Sequence, residues 1–237
     1  MKSQLFLLML QPSGAQPLIS LNLGGENAVA SSVQLFLIIT VLSLLPSILV
    51  MGTSFTRLVI VFHFVRQAIG TQSVPSNQIL VGLSLILTFF IMSPTFMAIK
   101  TQAYDPMVRG EIGLEQAMTQ GAEPLKKFML AHTREKDLAL FLHLSKGPRP
   151  ASRAEVSLTV LAPAFVISEV KTAFEIGFMV FLPFLIVDLV VASILLAMGM
   201  MMLPPVLISL PFKVLLFVMV DGWHLLVMSL VQGFQGG

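Results

Sequence analysis

The sequence predicts an all-α membrane protein: long kinked helices and helical hairpins carrying one small polar helical region. Three observations predict it. The runs Asn27 to Thr56, Gln67 to Ile99 and Leu189 to Phe212 contain no ionisable side chain, and each exceeds the roughly 20 apolar residues that carry a helix across a bilayer's hydrocarbon core. Charge is concentrated elsewhere, with 15 of the 26 Lys, Arg, Asp and Glu residues between Thr101 and Glu155. The whole chain of 237 residues is 56% apolar and only 11% charged, less than half the charge of an ordinary soluble domain.

Composition also excludes several functions. A net charge of +2, with no basic stripe interleaved with aromatics, gives no footprint for nucleic acid. The absence of cysteine removes disulfides, thiolate ligands and a cysteine nucleophile. No serine-hydrolase elbow, zinc-protease helix, phosphate loop or dinucleotide fingerprint occurs. His63, His132, His143 and His224 are scattered and read as surface or packing residues. No enzyme, cofactor or metal site is expected.

The elements follow in order. Residues 1–30 form an N-terminal leader or extracytoplasmic segment. MKSQLFLLML has one lysine and a short apolar run, which suits a weak export signal or an ordinary N-terminus. Residues 31–100 form a first hydrophobic hairpin. Its first arm starts near Ser31 or Ser32, which can cap a helix, and Pro46 should kink it. Gly52, Thr53, Ser54 and Thr56 offer a small patch for close helix contact. Arg57, His63 and Arg66 follow on a continuing helix, spaced so that His63 and Arg66 share a face. Gly70 to Asn77, GTQSVPSN, is a turn by composition. The second arm runs from Gln78 to Ile99, with a kink or an end at Ser93-Pro94. Two arginines and no acid on the connection orient it toward the cytoplasm, which leaves the N-terminus and the polar region outside.

Residues 101–155 are too few to bury a core unaided. Apolar residues at Ile112, Leu114, Met118, Leu125, Phe128, Met129, Leu138, Phe141 and Leu142 suit two or three short helices packed on neighbours. Pro124 fits an early helical turn, and Lys146 to Pro150 ends the last helix. Residues 156–237 form a second long broken hairpin. From 156 to 197 a continuous helix would reach ~63 Å at roughly 1.5 Å per residue, twice a bilayer core. Pro163 and Pro183 offer kinks.

Ionisable groups in this apolar half cannot face lipid, because a charge at the bilayer centre costs at least about 2.5 kcal/mol. Glu169, Lys171, Glu175, Asp188, Lys213 and Asp221 therefore read as buried charges or assembly contacts, with a proton or ion relay as the other reading. Lys171 and Glu175 are spaced to pair on one helix face, and Lys213 and Asp221 lie two turns apart on the last helix. Between the two arms the chain reads LLAMGMMMLPP. Gly199 weakens the helix, and Pro204 with Pro205 ends it. Met198, Met200, Met201 and Met202 thus line a bend. Thioethers are unbranched and polarisable, so they suit a deformable collar around an axis or, more simply, apolar filler.

Several blocks together resemble the FliP/SctR family of flagellar and injectisome export-gate proteins. They are GTSFTRLVIVF from Gly52, NQILVGLSLILTFFIMSP from Asn77, and GAEPLKKFMLAHTREKDLALF from Gly121. The longest are ISEVKTAFEIGFMVFLPFLIVDLVVASILLAMGMMMLPP from Ile167 and LPFKVLLFVMVDGW from Leu210. The resemblance implies a non-enzymatic, pore-forming subunit in a ring, a homo-oligomer of five. It would assemble with FliQ-like and FliR-like subunits and a FlhB-like switch protein in the bacterial inner membrane, at the flagellar basal body. Unfolded flagellar subunits would pass through, surrounded by lipid outside, with Met198, Met200, Met201 and Met202 as the pore seal. It implies no bound nucleotide or cofactor. An ion or solute transporter using the buried Glu, Lys and Asp groups, or a poreless assembly scaffold, are the alternatives.

Overall fold

The computed structural model describes residues 49–145, 150–200 and 202–235, with isolated positions at 36, 39, 40, 43, 47 and 147. The chain divides into two units, Met1–Leu45 and Pro46–Gly237. The described elements are all helical: α1 Phe55–Ile69, α2 Asn77–Ile99, α3 Asp105–Val108, α4 Leu114–His132, α5 Glu135–Leu144, α6 Leu158–Ala197, α7 Pro205–Met219 and α8 Gly222–Gln235. Of the expected first span, positions 36, 39, 40, 43, 47 and 49–52 are described and helical. The expected kink at Pro46 and the leader 1–30 lie outside the described residues.

The first core is built around α1. Leu58, Val61, Phe62, Val65, Ala68 and Ile69 recur at the three- and four-residue spacing of one helix face, and all are buried. They meet Leu80 of α2, Ala173 and Phe184 of α6, Phe217 of α7, and Leu226 and Leu230 of α8. Each Val, Leu, Ile or Phe among them contributes about 1.5–3 kcal/mol on full burial. The α1 and α6 helices pack tightly at Gly177, where an added Cβ would sit 2.5 Å from the Phe64 ring. Upstream, Gly52, Thr53, Ser54 and Thr56 are all buried. Thr53 and Thr56 turn their hydroxyls onto the carbonyls of Leu49 and Val50, and regular helix is interrupted at Thr53-Ser54. The α1 helix ends on Gly70, whose φ of 88° is left-handed and whose N–H donates to Arg66 and Gln67 carbonyls, as a C-terminal glycine does.

Prolines end fewer helices than the sequence suggests. The α2 helix passes Pro94 and continues through a π-helical turn, Lys100–Tyr104, into α3. The span therefore reaches Val108 and not Ile99. Pro124 lies in the middle of α4 instead of its first turn. The α6 helix runs 40 residues without interruption past Pro163 and Pro183. Each proline loses one backbone bond, but Leu161, Ala164, Phe165 and Phe184 beside them are buried, and that packing holds the helix. The break falls in the other arm. Between α7 and α8 the axis bends 61° at Val220-Asp221, where Asp221 adopts a φ of 50°.

The polar stretch does not form its own core. Met129 of α4 and Leu138 of α5 are buried together with Val156, Leu161, Ala164 and Phe165 at the start of α6. Gly121 lets α4 approach the π-helical turn that follows α2, since a Cβ there would lie 3.4 Å from the Cβ of Ala103. Among the described residues two helical segments, Asn77–Val108 and Leu158–Ala197, are long and apolar enough to cross a membrane, and α7 with α8 qualifies as a bent pair. Only 11% of the most apolar window of α6 is buried within the chain.

Candidate functional site

The α6 helix closes on Gly199, with a φ of 72°. The N–H of Gly199 donates to Leu196 and that of Met200 to Leu195, the paired bonds of a glycine-terminated helix. Gly199 therefore ends the helix, two residues past Ala197, and the prolines only start the next one: Pro205 is the first residue of α7, a position where its missing N–H costs nothing. The tip carries Met198, Met200 and Met202 at 67%, 39% and 96% exposure. Met201 lies outside the described residues. Exposed Leu196, Leu203, Val206 and Leu207 flank them, giving an apolar tip with no polar partner for the sulfur atoms among the described residues.

Two polar junctions hold the helices behind this tip. In the first, Glu169 of α6 is wholly buried and Arg57 of α1 is 5% exposed. The guanidinium grips both carboxylate oxygens, with Nε to Oε2 at 2.9 Å and Nη2 to Oε1 at 2.5 Å, and lies 3.8 Å above the ring centroid of Phe234 on α8. Forked geometry and an aromatic face are what guanidinium offers beyond charge. One residue away, Ser168 donates to Asp137 at 2.7 Å and accepts the N–H of Arg134 at 3.1 Å. Ser168 and Glu169 together thus tie α6 to the α4–α5 turn and to α1.

In the second junction, Asp188 of α6 accepts from Lys213 Nζ and from Ser209 Oγ, both on α7 and both at 2.5 Å. Lys213 and Ser209 are buried, while the Asp188 side chain keeps 23% exposure. Sequence spacing misled on the remaining groups. Glu175 is exposed and reaches Arg134 at 3.4 Å in place of Lys171, which is itself exposed. Asp221 does not share a helix face with Lys213, because the bend intervenes and leaves it exposed. Arg57, one of the two arginines that give the first connection its positive sign, is neutralised inside the protein. Sequence reasoning missed the Arg57 partnership, which spans 112 residues with no local signal. Ser209 was missed as well, although its place four residues from Lys213 on one helix face was a signal the sequence carried.

Half-buried His132 ends α4 against Phe128 and Phe234, with ring centroids 4.5 and 5.0 Å away. Burial holds its pKa below the ordinary 6.5, and the nearby Arg57 charge lowers it further against the backbone carbonyl of Phe128, which raises it. The unfolded chain then binds the proton first as pH falls. Stability contributed here is complete above 6.5 and is lost as pH drops below it. Thermal melting between pH 7.5 and 5 should show that loss, and His132→Phe, which keeps the ring stack, should flatten it. An unchanged slope in the variant would remove His132 from the account.

The FliP family matches residues 38–230. A flagellar biosynthetic protein FliP of Bacillus subtilis (strain 168) is 58% identical over 206 residues, covering 87% of this chain and 93% of that one. Its counterpart in Pectobacterium carotovorum subsp. carotovorum is 55% identical over 210 residues, 89% of this chain and 81% of that one. The protein of the same name in Aquifex aeolicus (strain VF5) is 52% identical over 213 residues, 89% of each. With the family match spanning residues 38–230 and these relatives more than half identical over most of the chain, the chain belongs to the FliP family of flagellar export-gate membrane proteins.

Proposed function

We propose that this chain is a pore-forming subunit of the flagellar type III export gate, five copies surrounding an axis with Met198, Met200, Met201 and Met202 as the seal. The observation that carries the reading is the tip itself: methionines up to 96% exposed between two helices locked together by Asp188, Ser209 and Lys213. A rigid stalk with a soft apolar end can close an empty passage by dewetting and re-pack around unfolded chains of varied surface. The 40-residue α6 supports an assembly over a lone span, since its apolar surface is far longer than the roughly 30 Å of hydrocarbon a bilayer offers. FliQ-like and FliR-like subunits and a FlhB-like switch protein are the partners that would cover it in the inner membrane. The 101–155 region then lies outside the cytoplasm, in the basal body.

A relay of protons or ions is less well supported, because Glu169, Glu175 and Asp188 each already face a cation and form separate pairs. Met200→Ala, Met201→Ala and Met202→Ala combined should leave stability within about 0.5 kcal/mol per exposed site and the complex assembled. Ion conductance should rise, or export should fall. Intact complexes with unchanged conductance and export would overturn the seal.

A further inference from the structure

We propose that the pocket at the C-terminal end of α1 binds a phosphate oxyanion, either as a free ion or as the headgroup of an anionic phospholipid. The pocket, about 390 Å³, is lined by His63, Arg66, Gln67, Thr71, Gln72 and Val206. Its walls carry a guanidinium, an imidazole, two amides and a hydroxyl, and no carboxylate.

The argument rests on Arg66. Its Nη1 donates to the Pro75 carbonyl at 3.2 Å and to Asn77 Oδ1 at 2.6 Å, and its Nη2 meets His63 Nδ1 at 3.2 Å. These contacts fix the head, yet every partner is uncharged. No Asp or Glu occurs between Glu26 and Asp105, and the acids of α6 are already engaged: Glu169 by Arg57, Glu175 by Arg134 and Asp188 by Lys213. Among the described residues Arg66 therefore has no counter-ion. A partly buried cation left so is costly, and an anion in the pocket removes the cost.

The donor set selects phosphate. Guanidinium has five N–H groups, so at least two remain for a ligand, in the fork that suits phosphate oxygens. With Nδ1 of His63 accepting from Arg66, the neutral ring carries its proton on Nε2, a further donor. Val206 belongs to the first turn of α7, where amide N–H groups lack intrahelical acceptors and the helix dipole is positive. Val206 of the lining is itself apolar and 54% exposed, and its chain neighbour Leu207 is 64% exposed, which offers the acyl chains of a lipid apolar surface beside the cationic floor.

The full-length chain, stripped of lipid in neutral detergent, is titrated with dioleoylphosphatidylglycerol, with dioleoylglycerol (the same chains without phosphate) and with inorganic phosphate, and adducts are counted by native mass spectrometry. Phosphatidylglycerol should bind at least about tenfold more tightly than dioleoylglycerol. Arg66→Gln should abolish that preference, and the combined Thr71→Val and Gln72→Ala variant, which keeps the Arg66 contacts, should weaken it about threefold. If inorganic phosphate binds as tightly as the lipid and displaces it, the source is the free ion; if the lipid binds more tightly, it is the headgroup. Equal binding of the two lipids overturns the proposal, as does phosphatidylglycerol binding unchanged in the combined variant. That second arm decides the matter should Arg66→Gln fail to fold.

Discussion

Glu169→Ala should cost about 3–5 kcal/mol, the usual penalty for removing one partner of a buried ion pair. Total stability of a domain is only about 5–15 kcal/mol, so purified protein should melt far earlier or fail to stay monodisperse. The reason is what remains behind. Arg57, 5% exposed, would sit between a void and the Phe234 ring with no anion to answer it. Arg57→Ala should also be damaging, though less so, because the buried Glu169 carboxyl loses its partner but can neutralise by taking up a proton. Arg57→Lys should rescue little, since one ammonium cannot make both bonds of the fork. Replacing both residues with apolar ones, Arg57→Met with Glu169→Leu, should recover most of the loss, because neither charge then needs desolvating. Denaturation of the four variants in one detergent checks the series. A single variant no less stable than the double one would show that the pair is not what holds α1 to α6.

Lys213→Met should cost about 2 kcal/mol, less than the first junction because Asp188 keeps 23% exposure and can recruit water. Ser209→Ala should cost about 1 kcal/mol, the worth of one hydrogen bond. The larger consequence is geometric. Asp188, Ser209 and Lys213 are the polar contacts that set α7 against α6 behind the methionine tip, so loosening them should let the tip wander. Export should fall more than assembly does. A double-mutant cycle between Asp188→Asn and Lys213→Met should return a coupling of about 0.5–3 kcal/mol. Additive losses would mean that the two groups stabilise the hairpin independently.

Both junctions show how far a sequence reading goes. Glu169, Asp188 and Lys213 stand out because charge in an apolar run must find a partner. Which partner it finds is not local. Asp188 and Lys213 belong to adjacent arms, whereas Arg57 reaches Glu169 only after α1 is packed under α6. The Lys171–Glu175 spacing was correct and the pairing was not, because Arg134 on the α4–α5 turn reaches Glu175 instead. Proline misled for a related reason. Its local penalty of about 3 kcal/mol is real, but it is smaller than the burial gained by keeping α6 continuous.

Hydrophobic runs, the crowding of charge into 101–155 and the methionine bend were determined by the sequence alone, because burial and membrane partition follow residue type along the chain. Helix continuity past Pro94, Pro124, Pro163 and Pro183, the break at Asp221 and the two polar junctions were decided only by tertiary packing. Contacts between residues distant in sequence carry those energies, and no local pattern records them.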